Sequence, residues 1–140
     1  MSNTNLYAVK NATRTAREIP FQEASMDIWD KKYRLKTKEG EAIDADIQET
    51  YKRVARALAD VEEGKKDRDL WYEKFLWALR QGAIPAGRII SNAGALAHKP
   101  ATSTINCTVS GTIQDSMDDI LDKVHEAGLT LKAGCGIGYD

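Results

Sequence analysis

The chain has 140 residues, of which 42% are hydrophobic, and its 20 basic and 21 acidic residues give a net charge of -1. This length suits one domain with an ordinary core, and the balanced charge gives no overall reason to expect nucleic acid or an anionic membrane as a partner. Because no apolar run approaches the roughly 20 residues that span a bilayer, the composition predicts a soluble, cytoplasmic protein.

The pattern along the chain predicts three regions. Residues 1–24 are polar, rich in Asn, Thr and Arg, and lack a sustained apolar period, which predicts a flexible N-terminal arm. Residues 25–100 carry helical patterns and are expected to form a helical domain. Residues 101–140 combine a strand, an amphipathic helix and a glycine-rich loop, and they form the third region.

Three helices are predicted within the helical domain. The first covers residues 25–35 with Ser25 as its N-cap, and a charged turn follows at residues 36–40. Its inward-facing side chains are expected to be Ile28, Trp29 and Tyr33. The second helix has Asp44 at the expected N-cap position and ends at Gly64. Its apolar stripe consists of Ile47, Tyr51, Val54, Ala55, Leu58 and Val61.

The third predicted helix runs over residues 67–80 and is stopped by Gly82 and Pro85. Its apolar face consists of Trp71, Phe75, Ala78 and Leu79. Two further aromatic residues predict a second buried surface, and they are Tyr72 and Trp77. Residues 83–100 are rich in glycine and small residues and are predicted to be a connection without a regular element.

The basic residues of the second helix do not favour a nucleic-acid surface. They are Lys52, Arg53 and Arg56. Acidic residues of the same region neutralise them, namely Glu49, Asp60, Glu62 and Glu63. Such a mixture is typical of a solvated helical face.

The C-terminal region begins with a predicted strand over residues 102–109, where Thr, Ile and Val dominate. Cys107 lies within this strand. A helix is predicted to follow, with Ser116 as its N-cap and Gly134 as a left-handed residue that stops it. One face of this helix is expected to carry Met117, Ile120, Leu121, Val124, Ala127 and Leu131.

The two cysteines are 28 positions apart and form no CxxC motif. This spacing argues against a disulfide scaffold and against a zinc site built from this chain, so no metal ligand is assigned. Both are expected to be free thiols. Because a lone cysteine is most often a small buried hydrophobe, Cys135 is interpreted as structural.

Several segments, in order and in register, resemble one enzyme family. They are residues 28–35 and 85–94, then Asn-Cys-Thr-Val at 106–109, Asp-Ser-Met-Asp-Asp-Ile at 115–120 and Gly-Cys-Gly-Ile-Gly-Tyr-Asp at 134–140. Together they are similar to the start of the catalytic barrel in the large chain of ribonucleotide reductases, with most likeness to the adenosylcobalamin-dependent class. The resemblance implies a mainly α region that leads into the first strand-helix unit of a ten-stranded α/β barrel.

The resemblance also implies a chemistry for the predicted strand. In these enzymes two cysteine thiols become a disulfide as a ribonucleotide is reduced to a deoxyribonucleotide by thiyl-radical chemistry, and Cys107 matches one of that pair. Asn106, Cys107 and Gly136 match positions beside the substrate. Several relatives carry Ser-Pro-Thr where this chain has residues 87–89, Gly-Arg-Ile.

An effector site is implied on the last helix. Asp115, Ser116 and Lys132 match positions that hold a deoxynucleoside triphosphate, which selects the substrate in the family. Judged from the residues alone, the same pattern is a capped helix with a solvated lysine. The glycines at 134, 136 and 138 also fit part of a dinucleotide fingerprint, but the reductase loop is the preferred interpretation.

The remaining expectations concern what the chain works with. The resemblance implies adenosylcobalamin, a ribonucleotide substrate, a thioredoxin-like reductant, the remaining C-terminal part of the barrel, and a homodimer when complete. The chain is expected to be an N-terminal fragment that is inactive without that remainder. The alternative is a stand-alone helical module that binds a nucleotide or a partner and performs no chemistry.

Overall fold

The computed structural model describes residues 20–99 and 102–140. Most of the predicted N-terminal arm lies outside these ranges. The regular elements are α1 (Glu23–Ile28), a π-helical turn (Trp29–Tyr33), α2 (Ile47–Ala59), α3 (Lys65–Arg80), α4 (Gly87–Asn92), β1 (Cys107–Val109), α5 (Met117–Lys132) and β2 (Gly136–Gly138). The described chain is therefore a helical part followed by one strand-helix-strand unit.

The first helix begins earlier than predicted, and of its three predicted inward side chains Trp29 and Tyr33 are confirmed and Ile28 is not. It begins at Glu23 with Gln22 as the N-cap residue, so Ser25 lies inside the helix and does not cap it. A π-helical turn follows the helix. Trp29 is buried and donates its indole N–H to Thr50 Oγ1 at 3.1 Å, whereas Ile28 is 48% exposed.

The second helix is capped by Asp46 and not by Asp44. The Asp46 carboxylate accepts the backbone N–H of Glu49 at 2.9 Å, as expected for an N-cap side chain. The helix ends at Ala59, and Gly64 is the N-cap residue of α3. The predicted start and end of this helix are therefore each wrong by a few residues. Asp46 caps its start, and it ends at Ala59, before Gly64.

The core of the helical part lies where α2 and α3 pack together and α4 covers one end. Its buried residues are Tyr51, Val54, Ala55, Leu76, Leu79, Ile90 and Ala93. The stripe predicted for α2 is confirmed at Tyr51, Val54 and Ala55, but Val61 follows the helix and is exposed. On α3 the buried face centres on Leu76 and Leu79.

Phe75 packs against the core as predicted, but the other aromatic residues of α3 follow the predicted faces only in part. Trp77 is 63% exposed and Trp71 is 37% exposed, whereas Tyr72 packs against the core. Trp71 instead stacks on Phe75 with 5.5 Å between ring centroids, and Lys74 lies over the Trp71 ring. The predicted second buried surface is therefore not found among the described residues: Tyr72 joins the same core, and Trp77 is exposed.

A short helix occupies the segment that was predicted to be an irregular connection. Helix α4 has no capping side chain at Ala86, and it is stabilised by what it contacts: Ile90 and Ala93 are buried in the core. After it, Gly94 adopts φ +71, and a Cβ at this position would lie 2.9 Å from Arg53 Cγ. Only glycine fits this close approach without displacing Arg53.

A buried ion pair joins α2 to the end of α4. Arg53 donates to the Asp44 carboxylate at 2.8 Å and to the backbone carbonyls of Ala93 at 2.6 Å and Ile90 at 3.1 Å. The Asp44 carboxylate also accepts the Thr50 hydroxyl at 2.7 Å. Burial acts to raise the pKa of Asp44, but these donors outweigh it and hold that pKa below its usual value.

The C-terminal part is a parallel β1–α5–β2 unit. Cys107 pairs with Gly136, Thr108 with Ile137 and Val109 with Gly138. The strand is shorter than the predicted residues 102–109, because only the three residues that face β2 find backbone partners. This unit is consistent with the start of an α/β fold, and the ten-stranded barrel stays a prediction.

Helix α5 confirms its predicted ends. The Ser116 hydroxyl accepts the backbone N–H of Asp119 at 3.2 Å, and Gly134 adopts φ +82 directly after the helix. Its apolar stripe is on one face as predicted, but that face is exposed to solvent: Leu121 is 57% exposed and Val124 is 63% exposed. Ala127 is the half-buried member of the predicted stripe, and the other half-buried residues of α5 are Asp119, Lys123 and Thr130.

Candidate functional site

Cys107 is the first residue of β1, and its thiol lies beside Gly136 of β2. The residue is exposed, and a Cβ built on Gly136 would lie 3.3 Å from Cys107 Sγ. The backbone is fixed here because the Gly136 N–H donates to the Asn106 carbonyl at 2.9 Å. Gly136 therefore lets the accessible Cys107 thiol approach the backbone of β2 closely, where a side chain would crowd it.

Asn106, the residue before the thiol, connects this strand to the helical part. Its side-chain Oδ1 accepts the backbone N–H of Arg88 at 3.1 Å. Since Ala86 offers no side-chain cap, Asn106 satisfies one of the first N–H groups of α4 from 18 residues farther along the chain. A second tie lies nearby, where the Asn92 amide donates to the Ser103 carbonyl at 2.7 Å.

Arg88 reaches the turn between α5 and β2. Its guanidinium lies directly against Gly134, since a Cβ on Gly134 would be 2.8 Å from Arg88 Cζ and closer still to Nη1. Glycine is therefore required at position 134 for two reasons: its φ is positive, and a side chain would collide with Arg88. The sequence showed Arg88 only as a departure from relatives, and an arginine between small residues was the one signal for it.

The second thiol points elsewhere. Cys135 is buried, and its Sγ lies 3.2 Å from the Gly136 carbonyl oxygen. Consecutive residues along an extended strand face opposite sides, so Cys135 faces away from the side on which Gly136 meets Cys107. The geometry separates an exposed thiol from a buried one, in keeping with the structural interpretation of Cys135.

A polar cluster that the sequence did not reveal fastens α5 to the segment that follows β1. The buried Ser110 hydroxyl donates to Glu126 Oε2 at 2.6 Å, and Lys123 Nζ donates to the Ser110 oxygen at 3.2 Å. Tyr139 donates its hydroxyl to the Lys123 carbonyl at 3.1 Å. The Ser110 hydrogen bond and the Lys123 charge lower the pKa of Glu126, so the carboxylate is ionised at neutral pH.

The three residues matched to an effector site lie at two ends of α5. Asp115 and Ser116 precede the helix, and Lys132 is its last residue. A helix of 16 residues is about 24 Å long, so Lys132 is not brought to Asp115 within one copy of the chain. Asp115 is exposed and its carboxylate has no hydrogen-bond partner among the described residues.

A separate apolar groove lies on the helical part. Its volume is about 280 Å³, and it is lined by Phe21, Trp29, Tyr33, Tyr51, Ile84 and Pro85, among others. Tyr33 closes the end near Gly87, where a Cβ would lie 3.1 Å from its ring. The Cys107 thiol does not line this groove.

Residues 20–99 and 102–140 contain neither a membrane-spanning helix nor a metal-binding cluster. None of their helices combines the length and apolar character needed to cross a membrane. Nor do these residues contain a group of three His, Cys, Asp or Glu side chains placed to hold a metal ion.

Comparison with known proteins identifies the helical part. Residues 20–96 match the family model described as "Ribonucleotide reductase, all-alpha domain". No curated protein matches the sequence. The matched range covers α1 to α4 and the start of the segment after them, which confirms the resemblance at the level of the family. Because the match spans more than half of the 140 residues, the chain belongs to the ribonucleotide reductase family.

Proposed function

We propose that this chain is the N-terminal part of the large chain of a ribonucleotide reductase and that Cys107 is one of its two reducing thiols. The observation that carries the proposal is an exposed cysteine, held on a strand in register with a glycine, in a chain that belongs to this family. The family makes the completed protein an oxidoreductase of deoxyribonucleotide biosynthesis.

The proposed reaction exchanges the 2'-hydroxyl of a ribonucleotide for hydrogen. The hydroxyl leaves as water, and two thiols supply two electrons and two protons as they join in a disulfide. Cys107 would be one thiol, and the second would come from the remainder of the reductase. A thioredoxin-like dithiol then reduces the disulfide by thiol exchange and restores the enzyme.

A rigid and accessible thiol suits this role. A reacting atom that is misplaced by about 1 Å can lower the rate roughly a hundredfold, so a paired strand is a better support than a loose loop. Cys107 meets both requirements because its backbone pairs with β2 and its side chain is exposed. The absence of a side chain at Gly136 lets Sγ lie close to the β2 backbone, which fixes the position of the thiol.

Asn106 and Gly136 are proposed to line the substrate position with Cys107. The Asn106 side chain already accepts the Arg88 N–H, so its amide N–H₂ group is left to donate to a substrate hydroxyl or phosphate oxygen. Gly136 contributes backbone only. Both residues would act by orienting the ribose above the thiol.

The deoxynucleoside triphosphate effector is proposed to bind at α5. Asp115 is exposed and free to accept a hydrogen bond from a sugar hydroxyl, and Ser116 holds the start of the helix. Lys132 is assigned to a phosphate. Because Lys132 is a helix length from Asp115, the two would have to contact different parts of the bound effector, or different effector molecules across a homodimer.

Adenosylcobalamin is assigned to the remainder of the reductase. The apolar groove at Trp29 and Tyr51 is not lined by Cys107. When bound, the cofactor would supply the radical that starts the reaction. The residues of this chain would position the ribose and reduce it, in a cytoplasmic enzyme.

The decisive experiment compares two cysteine variants in the reductase completed with its C-terminal part. Cys107→Ser keeps the volume but removes the redox couple, so it should fold and bind nucleotide but form no deoxynucleotide above background. Cys135→Ser is the matched control and should keep most of the activity. Assays with excess dithiol would show whether a defect lies in regeneration. Turnover by Cys107→Ser at the unmodified rate would exclude the redox role of Cys107.

A further inference from the structure

We propose that Arg88 is a positioning residue that fastens the turn between α5 and β2 to the helical part and so holds β2 beside the Cys107 thiol. Its importance for catalysis rests on the proposed function. Its mechanical role does not, because the contact joins two parts of the chain whether or not the thiol reacts.

The contact itself is close. The guanidinium lies against the backbone at Gly134, where no side chain would fit. It therefore stands at the C-terminal end of α5, where the helix dipole favours a positive charge. No carboxylate of the described residues forms an ion pair with Arg88. Its charge is therefore assigned to the negative, C-terminal end of the α5 dipole.

Arg88 belongs to helix α4, and the C-terminal end of α4 is anchored to α2. The carbonyl oxygens of Ile90 and Ala93 accept hydrogen bonds from the Arg53 side chain. Arg53 is in turn paired with the buried Asp44. A continuous series of contacts thus runs from the core of the helical part through α4 to Gly134.

The turn needs this support because α5 has little apolar attachment to its own sheet. The side of α5 that is half-buried is polar or small, and the larger apolar residues of the helix are exposed. The Ser110–Lys123–Glu126 cluster holds the middle of the helix. Arg88 is the corresponding restraint at its C-terminal end, immediately before Cys135 and Gly136.

The two thiols allow a direct test on the chain as it stands. Cys135 is buried just after the turn, whereas Cys107 is exposed. A thiol reagent should label Cys107 quickly and Cys135 only when the turn opens. We expect Arg88→Met, which keeps a long side chain but removes the charge, to accelerate Cys135 labelling roughly tenfold, which corresponds to about 1.4 kcal/mol. The Cys107 labelling rate should change little.

Two variants separate this role from a general loss of stability. Arg88→Lys restores the positive charge and should recover much of the Cys135 protection. Arg80→Met removes another arginine at a helix C-terminal end, on α3, and should leave both labelling rates unchanged. Far-UV circular dichroism and the melting temperature should stay close to those of the unmodified chain in all three variants.

The proposal is overturned if Arg88→Met folds and leaves Cys135 as protected as before. If Arg88→Met does not fold, Gly134→Ala tests the same contact from the other side, since the added Cβ displaces the guanidinium. Slow Cys135 labelling in a folded Gly134→Ala variant would equally refute the proposal. If the completed enzyme with Cys107→Ser stays active, only the proposed reaction is refuted, because the contact between Arg88 and Gly134 does not depend on the chemistry of Cys107.

Discussion

Removing the Asp44 carboxylate should destabilise the helical part by about 3 kcal/mol. Breaking a buried ion pair by deleting one partner costs roughly 3–5 kcal/mol, because the other charge is left buried. The side chains of Asp44 and Arg53 are 4% and 11% exposed, so water can scarcely replace the lost carboxylate. Arg53 keeps its two carbonyl acceptors in α4, which places the expected cost at the lower end.

Urea denaturation followed by circular dichroism measures this cost. Asp44→Ala should lose about 3 kcal/mol, a large share of the roughly 5–15 kcal/mol of a typical domain. Asp46→Ala is the matched control, because it removes a single exposed N-cap bond worth about 1 kcal/mol. If Asp44→Ala costs no more than Asp46→Ala, the ion pair does not organise the helical part as described.

The same carboxylate predicts a pH dependence. The pKa of Asp44 is lowered in the folded chain from its usual 3.8, so the unfolded chain binds the proton more readily. The stabilisation is therefore complete above about pH 4 and is lost as the pH falls through the folded pKa. Asp44→Asn should remove this part of the acid sensitivity, and an unchanged dependence below pH 4 would contradict the assignment.

Two further predictions concern α5. Asp115→Ala should weaken effector binding in the completed reductase about two- to tenfold, because a lost hydrogen bond is worth roughly 0.5–1.5 kcal/mol. Asp122→Ala is the control and should not weaken it. Unchanged effector affinity of Asp115→Ala in a titration would refute the site. The chain should be mainly helical by circular dichroism and should self-associate through the exposed stripe of α5. Leu121→Ser with Val124→Ser should shift sedimentation velocity profiles toward the monomer, and an unmodified chain that is already monomeric at high concentration would contradict this.

Local rules were sufficient for several elements of this protein. The Ser116 N-cap and the left-handed Gly134 mark the ends of α5 because each acts within one turn of the helix. The buried faces of α2 and α3 follow from the spacing of apolar residues, because residues three and four positions apart lie on one face of a helix. The family could also be recognised from the sequence, because its motifs stand in a fixed order along the chain.

Other features depend on residues that are distant in sequence. Asp44 looks like an N-cap, yet its carboxylate is taken by Arg53 and Thr50 in a buried network. Helix α4 is stabilised by its buried residues and by Asn106, 18 positions farther along, so its own six residues could not reveal it. The length of β1 was set by how many residues find partners on β2.

The candidate site shows the same division. The sequence determined that a thiol, a capped helix and a glycine-rich turn follow one another, since residue types and spacing carry that information. Only the tertiary structure decided that Cys107 is exposed beside Gly136, that Cys135 is buried, and that Arg88 reaches Gly134. Exposure and close approach are properties of packed surfaces, and packing is fixed by contacts between segments that sequence patterns describe one at a time.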